Sequence, residues 1–504
     1  MYSDLEKLRE KSHMLRFLLP ICALARGAFP VLPTGAPRLA PLAGFGGEFV
    51  FQSLGDRVLS AAVRAANSRA TRFPGGTPAD YFNFSSGWLN TPTGAGCGGC
   101  DALPPRPAPP AALAAHLADT AEAPILVVNT LHAALEEELA GLAALARAGV
   151  AVDRLELSNE MYDSSRADVV ERYPNGTSYA ATAAAWSAAL RAAHPGARVA
   201  WVGTAGAWDA RTRAWNAAVF DDPAIQPRPD AATVHLYPGL PALNLSLPAN
   251  FPALLAPLFT DLAGFRAFTD ASIPAPLPLW VTEWGTWGCP AVEGTWLQGL
   301  WHAAFTLLLP SALPRVEVVL PYCAVCGDPA MPSFTTEAFG PIAPPNATPA
   351  AGDWLRTPPG HALGLVFFAL AAAAAPPGGR WVALSFGAEN PPLGPAFPGS
   401  AALVGGLALG AGGLPAALLA ANLGAVEAPL DVRGAGFACA QQLCAVVYHA
   451  APGDVARQGL RVGELLRAAG PVGAEGAVLL PPYALGALFC SAAPSCDEVL
   501  PNNT

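Results

Sequence analysis

Short apolar runs alternate with longer stretches rich in alanine and leucine between about residues 47 and 375. Such alternation is typical of repeated βα units around a parallel sheet. The pattern predicts eight strands, at 48–52, 70–73, 125–129, 154–158, 198–203, 232–237, 277–283 and 315–321. It predicts helices at 54–67, 131–148, 178–193, 251–268, 295–308 and 361–375. Eight strand–helix units favour an α/β fold of the (β/α)8 barrel type, with a doubly wound open sheet or a six-unit fragment as alternatives.

The pattern changes after Pro376. Short strands are predicted at 381–386, 425–433, 436–449 and 476–480, separated by turns rich in glycine and proline. These features favour a β-sandwich packed on the barrel. The predicted organisation is a leader at 1–26, a catalytic barrel at 27–375 and a β-sandwich domain at 376–504.

Composition narrows the functional classes. The 504 residues are 52% hydrophobic, which rules out disorder as a description of the whole chain. Only 13% are charged, the net charge is −10, and the lysines are Lys7 and Lys11. A nucleic-acid partner is therefore not expected. The uncharged stretch at 401–424 contains several glycines and Pro415, so it is interpreted as loops and strands and no integral membrane span is expected.

The N-terminal region favours secretion. Residues 15–25 form a short apolar run that ends in small residues, as in the central region of a signal peptide. A start at Met14 would give a more usual leader, and a buried apolar segment is the alternative interpretation. Asn83, Asn175, Asn244, Asn346 and Asn502 each begin an N-glycosylation motif, which also favours a secreted glycoprotein.

The ten cysteines fall largely in close pairs. The pairs are Cys97/Cys100, Cys323/Cys326, Cys439/Cys444 and Cys490/Cys496, with Cys22 in the leader and Cys289 left over. In a secreted chain such pairs predict local disulfides. The two CxxC pairs could instead form a four-thiolate zinc site.

Two glutamates stand at the carboxyl ends of predicted strands. Glu160 follows strand four in Leu155-Glu-Leu-Ser-Asn-Glu160, and Glu283 closes strand seven in Leu279-Trp-Val-Thr-Glu283. Reacting groups of barrel enzymes lie at these strand ends. Glycoside hydrolysis uses two carboxyl groups, one that protonates the leaving oxygen and one that attacks the anomeric carbon or activates water. The pair is therefore predicted to be catalytic, although a single glutamate at a strand end is more often a solvated loop residue.

These motifs resemble the retaining glycoside hydrolases of clan A, in which an Asn-Glu pair ends strand four and a glutamate ends strand seven. Three further segments resemble the heparanase/β-glucuronidase family, glycoside hydrolase family 79. They are Arg72-Phe-Pro-Gly-Gly-Thr-Pro-Ala-Asp80, Val128-Asn129-Thr-Leu131 and His235-Leu-Tyr237, in the order of that family and over about residues 50–375.

The sequence also departs from the family pattern. Ser158 stands where glycine usually precedes Asn-Glu, Met161 where proline is common, and Thr282 and Trp284 replace the usual flanks of the nucleophile. The chain has no Lys/Arg cluster of the kind that grips a sulfated polysaccharide. Heparan sulfate is therefore disfavoured as a substrate.

The resemblance implies a role for each matching residue. Glu160 would act as general acid and then general base, and Glu283 as nucleophile. Asn159 would donate its amide to the sugar 2-hydroxyl. The remaining candidates are Arg72 and Tyr237, which would hold Glu283 ionised, and His235 and Asn129, which would contact the sugar.

Several of these residues have plainer interpretations. Arg72 could pair with Asp80, His235 could be a core histidine, and Tyr237 could pack under the β domain. Trp284 and Trp287 offer flat faces to sugar rings but are interpreted as core residues.

The sequence therefore predicts a secreted, retaining O-glycoside hydrolase that acts on a β-linked glycan or glycoconjugate, with a β-glucuronide as one option. No motif requires a cofactor, and the serine-hydrolase elbow, the phosphate-binding loop and the HExxH zinc motif do not occur. The alternatives are a carbohydrate-binding or scaffolding protein on the same barrel and a zinc-dependent hydrolase.

Overall fold

The structure is a computed structural model. It describes residues 28–46, 54, 57–89, 109–241, 243–286, 290–292, 294–322, 334–336, 354–374, 380–387, 390–393, 401–410, 413–439, 442–451, 454–456, 466–472, 476–491 and 496.

In chain order the described strands are β1 Phe29–Pro30, β2 Leu32–Leu39, β3 Leu42–Ala43, β4 Phe45–Gly46, β5 Ala70–Phe73, β6 Phe82–Asn83, β7 Trp88–Leu89, β8 Ala123–Val128, β9 Arg154–Leu157, β10 Arg198–Val202, β11 Ala231–Leu236, β12 Leu279–Trp284, β13 Val316–Val319, β14 Phe334–Thr336, β15 Trp354–Arg356, β16 Arg380–Ser385, β17 Leu403–Leu409, β18 Pro415–Asn422, β19 Ala428–Asp431, β20 Gln442–His449, β21 Leu466–Pro471, β22 Ala477–Leu480 and β23 Ala484–Ser491. The described α-helices are α1 Arg57–Ala65, α2 Pro110–Thr120, α3 Leu135–Arg147, α4 Ala167–Arg172, α5 Gly176–Ala193, α6 Ala210–Phe220, α7 Phe251–Leu255, α8 Pro257–Ser272, α9 Trp296–Ala312 and α10 Pro358–Ala374.

Nine strands form a parallel sheet in the order β3-β13-β12-β11-β10-β9-β8-β5-β4. The strands at the two edges of this sheet, β3 and β4, are consecutive in the chain and flank Gly44. Together they form one interrupted first strand, because β3 pairs with β13 and β4 pairs with β5. A Cβ atom on Gly44 would lie 1.9 Å from the carbonyl oxygen of Ala70, so only glycine permits this approach. The sheet therefore closes, and the prediction of a (β/α)8 barrel is confirmed.

The predicted barrel elements match the structure closely. Seven of the eight predicted strands overlap β5 and β8 to β13, whereas the candidate at 48–52 lies outside the described residues and β3 and β4 take the place of the first strand. All six predicted helices overlap described ones. Helices α2, α4 and α6 were not predicted. Helix α2 follows a proline-rich segment, and α6 mixes polar and apolar residues without a clear stripe, which hides both from a pattern search.

An apolar cluster fills the part of the barrel interior towards the amino-terminal ends of the strands. It is separate from the main core between the barrel and its helices. The cluster combines one large ring, Trp280, with small or branched side chains, and its members are Ala70, Ile125, Ala200, Ala231, Trp280, Val318 and Leu320. Leu155 and Leu157 point the opposite way, into the core under the helices. The alternating residue Glu156 therefore points into the barrel, above the apolar layer.

The second domain is a β-sandwich of two sheets. A seven-stranded antiparallel sheet has the order β2-β16-β17-β18-β23-β20-β21, and it faces a three-stranded sheet of order β1-β19-β22. Side chains from both sheets, such as Leu418, Leu430 and Leu480, form one buried core between them.

Both ends of the chain contribute to this sandwich. Strands β1 and β2 pair with β19 and β16, whereas the sequence pattern assigned residues 27–375 to the barrel. The segment 29–39 contains prolines at three positions, which hides its strand character. On the other face of the large sheet, α9 and α10 of the barrel pack against β17 and β18 in a continuous core.

The prediction of local disulfides in the β domain is wrong. Cys439 pairs with Cys490, and Cys444 with Cys496. Strands β20 and β23 are antiparallel neighbours, so each bridge joins one strand region to the other. Residues five apart along an extended chain are roughly 16 Å apart, too far for the predicted Cys439/Cys444 bridge. The predicted pairs Cys97/Cys100 and Cys323/Cys326, together with Cys22 and Cys289, lie outside the described residues.

Within the described part of the chain, no helix is long and apolar enough to cross a membrane.

Candidate active site

Four strand ends bring six of the predicted residues to the carboxyl end of the barrel. Arg72 lies on β5, and Asn159 and Glu160 directly follow β9. His235 is on β11, Tyr237 follows it, and Glu283 is the penultimate residue of β12, so four strands and the loops after them supply these residues.

An irregularity in the pairing of β11 with β12 turns Glu283 inward. Val234 pairs with Val281, but the next residue, His235, pairs with Glu283, so Thr282 is an extra residue in the ladder. Thr282 and Glu283 both reach the barrel interior, while Trp284 packs outward against Phe305 at a ring separation of 4.7 Å. A bulge of this kind re-aims a side chain at the end of a strand.

The turn after β9 holds the first glutamate in a strained backbone. Ser158 and Glu160 have φ angles of 65° and 51°, in the left-handed region that non-glycine residues seldom adopt. The usual glycine before Asn-Glu suits this conformation, and here the Ser158 hydroxyl makes hydrogen bonds to the Thr130 amide and hydroxyl at 2.8 and 2.7 Å. Such strain is retained where the surrounding contacts define it, commonly at active sites.

Arg72 is the centre of the charged cluster. Its side chain is fully buried and donates to Glu156 through Nε at 2.7 Å and Nη2 at 3.0 Å. It also donates to Glu283 at 2.5 Å and to the side-chain oxygen of Asn159 at 2.9 Å. Burial alone would lower the pKa of Arg72, but the charges and hydrogen bonds of Glu156 and Glu283 outweigh it and raise that pKa further.

Glu283 is held from two sides. Arg72 contacts one carboxylate oxygen, and the Tyr237 hydroxyl donates to the other at 2.7 Å. Burial, together with the charges of Glu283 and Glu160, raises the pKa of Tyr237 well above its ordinary value, so Tyr237 stays a neutral donor. Glu283 therefore has one oxygen fixed by a cation and one by a hydroxyl, an arrangement suited to an ionised nucleophile.

Glu160 faces Glu283 and forms a hydrogen bond with His235. Its Oε1 lies 2.7 Å from His235 Nδ1 and accepts from the Tyr162 hydroxyl at 2.8 Å. Burial would raise the pKa of Glu160, but the hydrogen bond and charge of His235 outweigh it and lower that pKa. Burial would lower the pKa of His235, but Glu283 and Glu160 raise it. Each of the two groups therefore favours the charged form of the other, and their titrations are coupled.

The two glutamates are close enough for one sugar. A carboxylate oxygen of Glu160, one of Glu283 and a ring nitrogen of His235 lie within 4.8 Å of one another. Carboxyl groups about 5–5.5 Å apart act by retention, and those about 6.5–9.5 Å apart act by inversion. The Glu160 side chain is 26% exposed at the mouth, while that of Glu283 is 6% exposed.

The same three residues are also a possible ligand set for a divalent metal. However, His235 already lies 2.7 Å from Glu160 and 3.4 Å from Glu283, so direct contacts among the three account for their arrangement. The donor set does not require a metal to explain its geometry.

The alternative interpretation, in which Arg72 pairs with Asp80, is wrong. Asp80 instead forms an ion pair with Arg166, at 2.6 Å. Asp80 also accepts the backbone amide of Asn159 at 2.8 Å and so fastens the turn that precedes Glu160. Burial raises the pKa of Asp80 to about 6, against the opposing effect of Arg166. Since the Asn159 side-chain oxygen accepts from Arg72, its amide nitrogen is the part of the group that can donate to a ligand.

Two other candidates lie apart from the pair. Asn129 is buried, its amide nitrogen donates to the Phe82 carbonyl, and its oxygen accepts the backbone amides of Leu131 and His132. Trp284 is fully buried in the core, and Trp287 lies outside the described residues.

Sequence reasoning missed Glu156 and Tyr162. Glu156 is a charged residue between two buried leucines, Leu155 and Leu157, of a parallel strand. This is itself a signal, because charges are almost never buried unless paired. Tyr162 gave no such signal. It is brought to Glu160 by the turn that follows β9, and the sequence does not show the shape of that turn.

Comparison with known proteins supports the fold. No protein-family model and no curated protein matches the chain. Among solved structures, it is similar to an α-L-arabinofuranosidase from Thermotoga maritima, with 13% identity, a TM-score of 0.64 and coverage of 92% of this chain and 99% of that one.

It is also similar to a 4-O-α-L-rhamnosyl-β-D-glucuronidase from Fusarium oxysporum, with 13% identity, a TM-score of 0.57 and the same two coverages. A monomeric β-xylosidase from Caulobacter crescentus has 15% identity, a TM-score of 0.52 and coverage of 92% of this chain and 100% of its own. The chain therefore shares its two-domain fold with glycoside hydrolases.

Proposed function

We propose that the protein is a retaining O-glycoside hydrolase in which Glu283 is the nucleophile and Glu160 the acid/base. The observation that carries the proposal is the approach of the two carboxylates to within 4.8 Å at the mouth of the barrel. A carbohydrate-binding protein without catalysis would not need this spacing, nor a buried arginine and tyrosine directed at one of the two carboxylates.

The reaction would proceed in two displacements. In the first, the Glu283 carboxylate attacks the anomeric carbon, the bond to the leaving oxygen breaks, and Glu160 gives that oxygen its proton. In the second, Glu160 takes a proton from water, the water oxygen attacks the anomeric carbon, and the ester to Glu283 breaks. Glu160 thereby regains the proton that it gave in the first step, and Asn159 would donate to the 2-hydroxyl.

For the substrate, we propose a neutral 1,2-trans glycoside, a class that includes β-linked pyranosides and α-L-arabinofuranosides. The two arginines near the pair are already bonded to carboxylates, Arg72 to Glu156 and Glu283 and Arg166 to Asp80. Neither offers a free cation to a uronic acid. A β-glucuronide is the second candidate, favoured by the resemblance to family 79 and by the similarity of the fold to that of a rhamnosyl-glucuronidase.

A panel of p-nitrophenyl glycosides tests the substrate class. It should contain the α-L-arabinofuranoside, the β-D-xyloside, the β-D-glucoside and the β-D-glucuronide. Turnover of one of the first three supports a neutral substrate, and exclusive turnover of the glucuronide contradicts it. NMR of the first product formed should show the anomeric configuration of the substrate.

Variants test the roles of the two glutamates. Glu283→Ala should lose activity by several orders of magnitude on every aryl glycoside. Glu160→Ala should lose about 10²–10⁴-fold with a poor leaving group and much less with 2,4-dinitrophenolate, which leaves without protonation. Glu317→Gln is a matched control, because this half-exposed carboxylate pairs with Arg198. Unchanged rates in both active-site variants would favour the binding protein.

We also propose that the protein works outside the cytoplasm. The bridges Cys439–Cys490 and Cys444–Cys496 are of the kind that persist in oxidising compartments. Expression with the first 26 residues fused to a reporter tests the leader. Secretion of the reporter supports it, and retention in the cytoplasm contradicts it.

A further inference from the structure

An exposed tryptophan stands beside Glu160 at the rim of the barrel. Trp208 lies in the loop between β10 and α6, at the carboxyl end of a barrel strand, and it is 62% exposed. The Trp208 and Tyr162 rings meet in a T-shaped arrangement, with ring centroids 5.5 Å apart and planes at 75°. Since the Tyr162 hydroxyl donates to Glu160, only one side chain separates the Trp208 ring from the acid/base carboxylate.

The loop that carries Trp208 is fastened to the loop that carries Tyr162. Arg211, in the first turn of α6, donates to the backbone carbonyl oxygens of Met161, Tyr162 and Tyr173 at 2.8, 3.1 and 2.6 Å. These charge-assisted hydrogen bonds fix the spacing between the two loops.

Two residues near Trp208 in the sequence, Asp209 and Gly206, also help to hold its loop in place. Asp209 caps α6 through the Thr212 amide at 2.6 Å and accepts the Ser164 hydroxyl at 2.6 Å. Gly206 lies under the ring, and a Cβ atom there would be 3.0 Å from two of its carbons. Backbone therefore lies close to one side of Trp208, while much of the side chain remains open to water.

We propose that Trp208 is the platform of the leaving-group subsite and packs against the ring of a neutral sugar on that side of the scissile bond. This inference rests on the proposed function. Glu160 must contact the leaving oxygen, so the group beyond that oxygen extends towards the residues next to Glu160. Of the described tryptophans that contact Tyr162, Trp215 is buried and Trp208 is exposed, so Trp208 is the one that such a group can reach.

The chemistry of the ligand follows from the surface. The face of an indole ring packs well against the C–H groups of a sugar, while the hydroxyl groups at the edge of the sugar stay in water. A rigid aromatic side chain provides this contact with little loss of conformational entropy on binding. The subsite would therefore favour a glycan over a small alcohol as the leaving group.

The test compares two substrates that differ only in the leaving group. The probes are α-1,5-arabinobiose and α-L-arabinofuranosyl fluoride, or the corresponding disaccharide and fluoride of the sugar selected by the panel. Fluoride is too small to reach Trp208, whereas the second sugar would cover its ring. Both substrates require Glu283 in the same way.

For Trp208→Ala, the ratio of kcat/KM for the disaccharide to kcat/KM for the fluoride should fall by about 10- to 100-fold. Trp208→Phe should restore part of that ratio, and Leu414→Ala, at a side chain 63% exposed on the β domain, should leave it unchanged. An unchanged ratio in Trp208→Ala would overturn the subsite while hydrolysis of the fluoride still supports the proposed function. If the wild-type protein hydrolyses neither probe, the proposed function and the subsite both fall.

Discussion

Replacement of Glu156 by glutamine removes one charge from beneath the proposed catalytic pair and leaves the shape of the side chain almost unchanged. The side chains of Glu156 and Arg72 are both fully buried. Glu156 accepts two hydrogen bonds from Arg72 and one from the Thr282 hydroxyl at 3.1 Å. In the variant, the positive charge of Arg72 is neutralised by Glu283 alone.

The distance from Glu156 to His235 determines how far the pH–rate profile should shift in this variant. Glu156 Oε1 lies 4.0 Å from His235 Nε2. Two unit charges at this distance interact by about 4 kcal/mol at an effective dielectric constant of about 20, equivalent to about 3 pH units. The other charges of the cluster rearrange in response and reduce this effect. We therefore expect the pH at which the Glu160–His235 pair loses its proton to change by about one to three pH units.

The direction of this displacement follows from the sign of the lost charge. Without the negative charge of Glu156, the Glu160–His235 pair loses its proton at lower pH, which moves the alkaline limb of the pH–rate profile down. The alkaline limb shifts to lower pH, whereas a purely structural defect would lower the height of the profile without moving this limb.

The assay is kcat/KM against pH for the best aryl glycoside. Glu138→Gln is the matched control, because Glu138 is also a buried glutamate and burial raises its pKa to about 8. Below pH 8 the control exchanges a neutral acid for a neutral amide and should leave both limbs in place. Thermal unfolding should show a loss of about 3 kcal/mol for Glu156→Gln, since one partner of a buried ion pair is removed. An unmoved alkaline limb in Glu156→Gln would refute the reasoning.

Two further predictions concern the histidine and the disulfides. Glu283 and Glu160 raise the pKa of His235 in the folded protein, so its ion pairs stabilise the fold fully below about pH 6.5 and lose that contribution as pH rises through the raised value. The excess in Tm of the wild type over His235→Gln should therefore shrink above pH 6.5, and an excess that grows with pH would contradict the pairing. In the β domain, peptide mapping should find Cys439 linked to Cys490 and Cys444 linked to Cys496. Because the first bridge joins residues 51 positions apart, its removal in Cys439→Ala/Cys490→Ala should cost about 4 kcal/mol, whereas a Cys439–Cys444 peptide would refute the connectivity.

Much of the barrel could be predicted from the sequence, because its strands and helices carry regular apolar patterns. Strand β5 has the predicted bounds, and Glu160 and Glu283 could be placed at strand ends by counting units. The spacing of the two glutamates depends on the extra residue Thr282 in the β11–β12 ladder, which no local pattern reveals.

The remaining differences arise from contacts between distant parts of the chain. Strand β2 joins the sandwich because β16 pairs with it, more than 300 positions away. The disulfides follow the neighbours in the sheet rather than neighbours in sequence. Asp80 bonds Arg166 rather than Arg72 because a loop after β9 brings Arg166 to it, and residue types alone do not distinguish the two arginines.

Azide rescue tests the assignment of the two glutamates most directly. Each alanine variant is incubated with the 2,4-dinitrophenyl glycoside of the selected sugar and sodium azide, and the configuration of the glycosyl azide is determined by NMR. In Glu160→Ala, azide should attack the ester to Glu283 and give a product with the configuration of the substrate. In Glu283→Ala, azide should enter from the vacated face and give the inverted product. The same configuration from both variants, or no rescue of either, would contradict the assignment of Glu283 as nucleophile and Glu160 as acid/base.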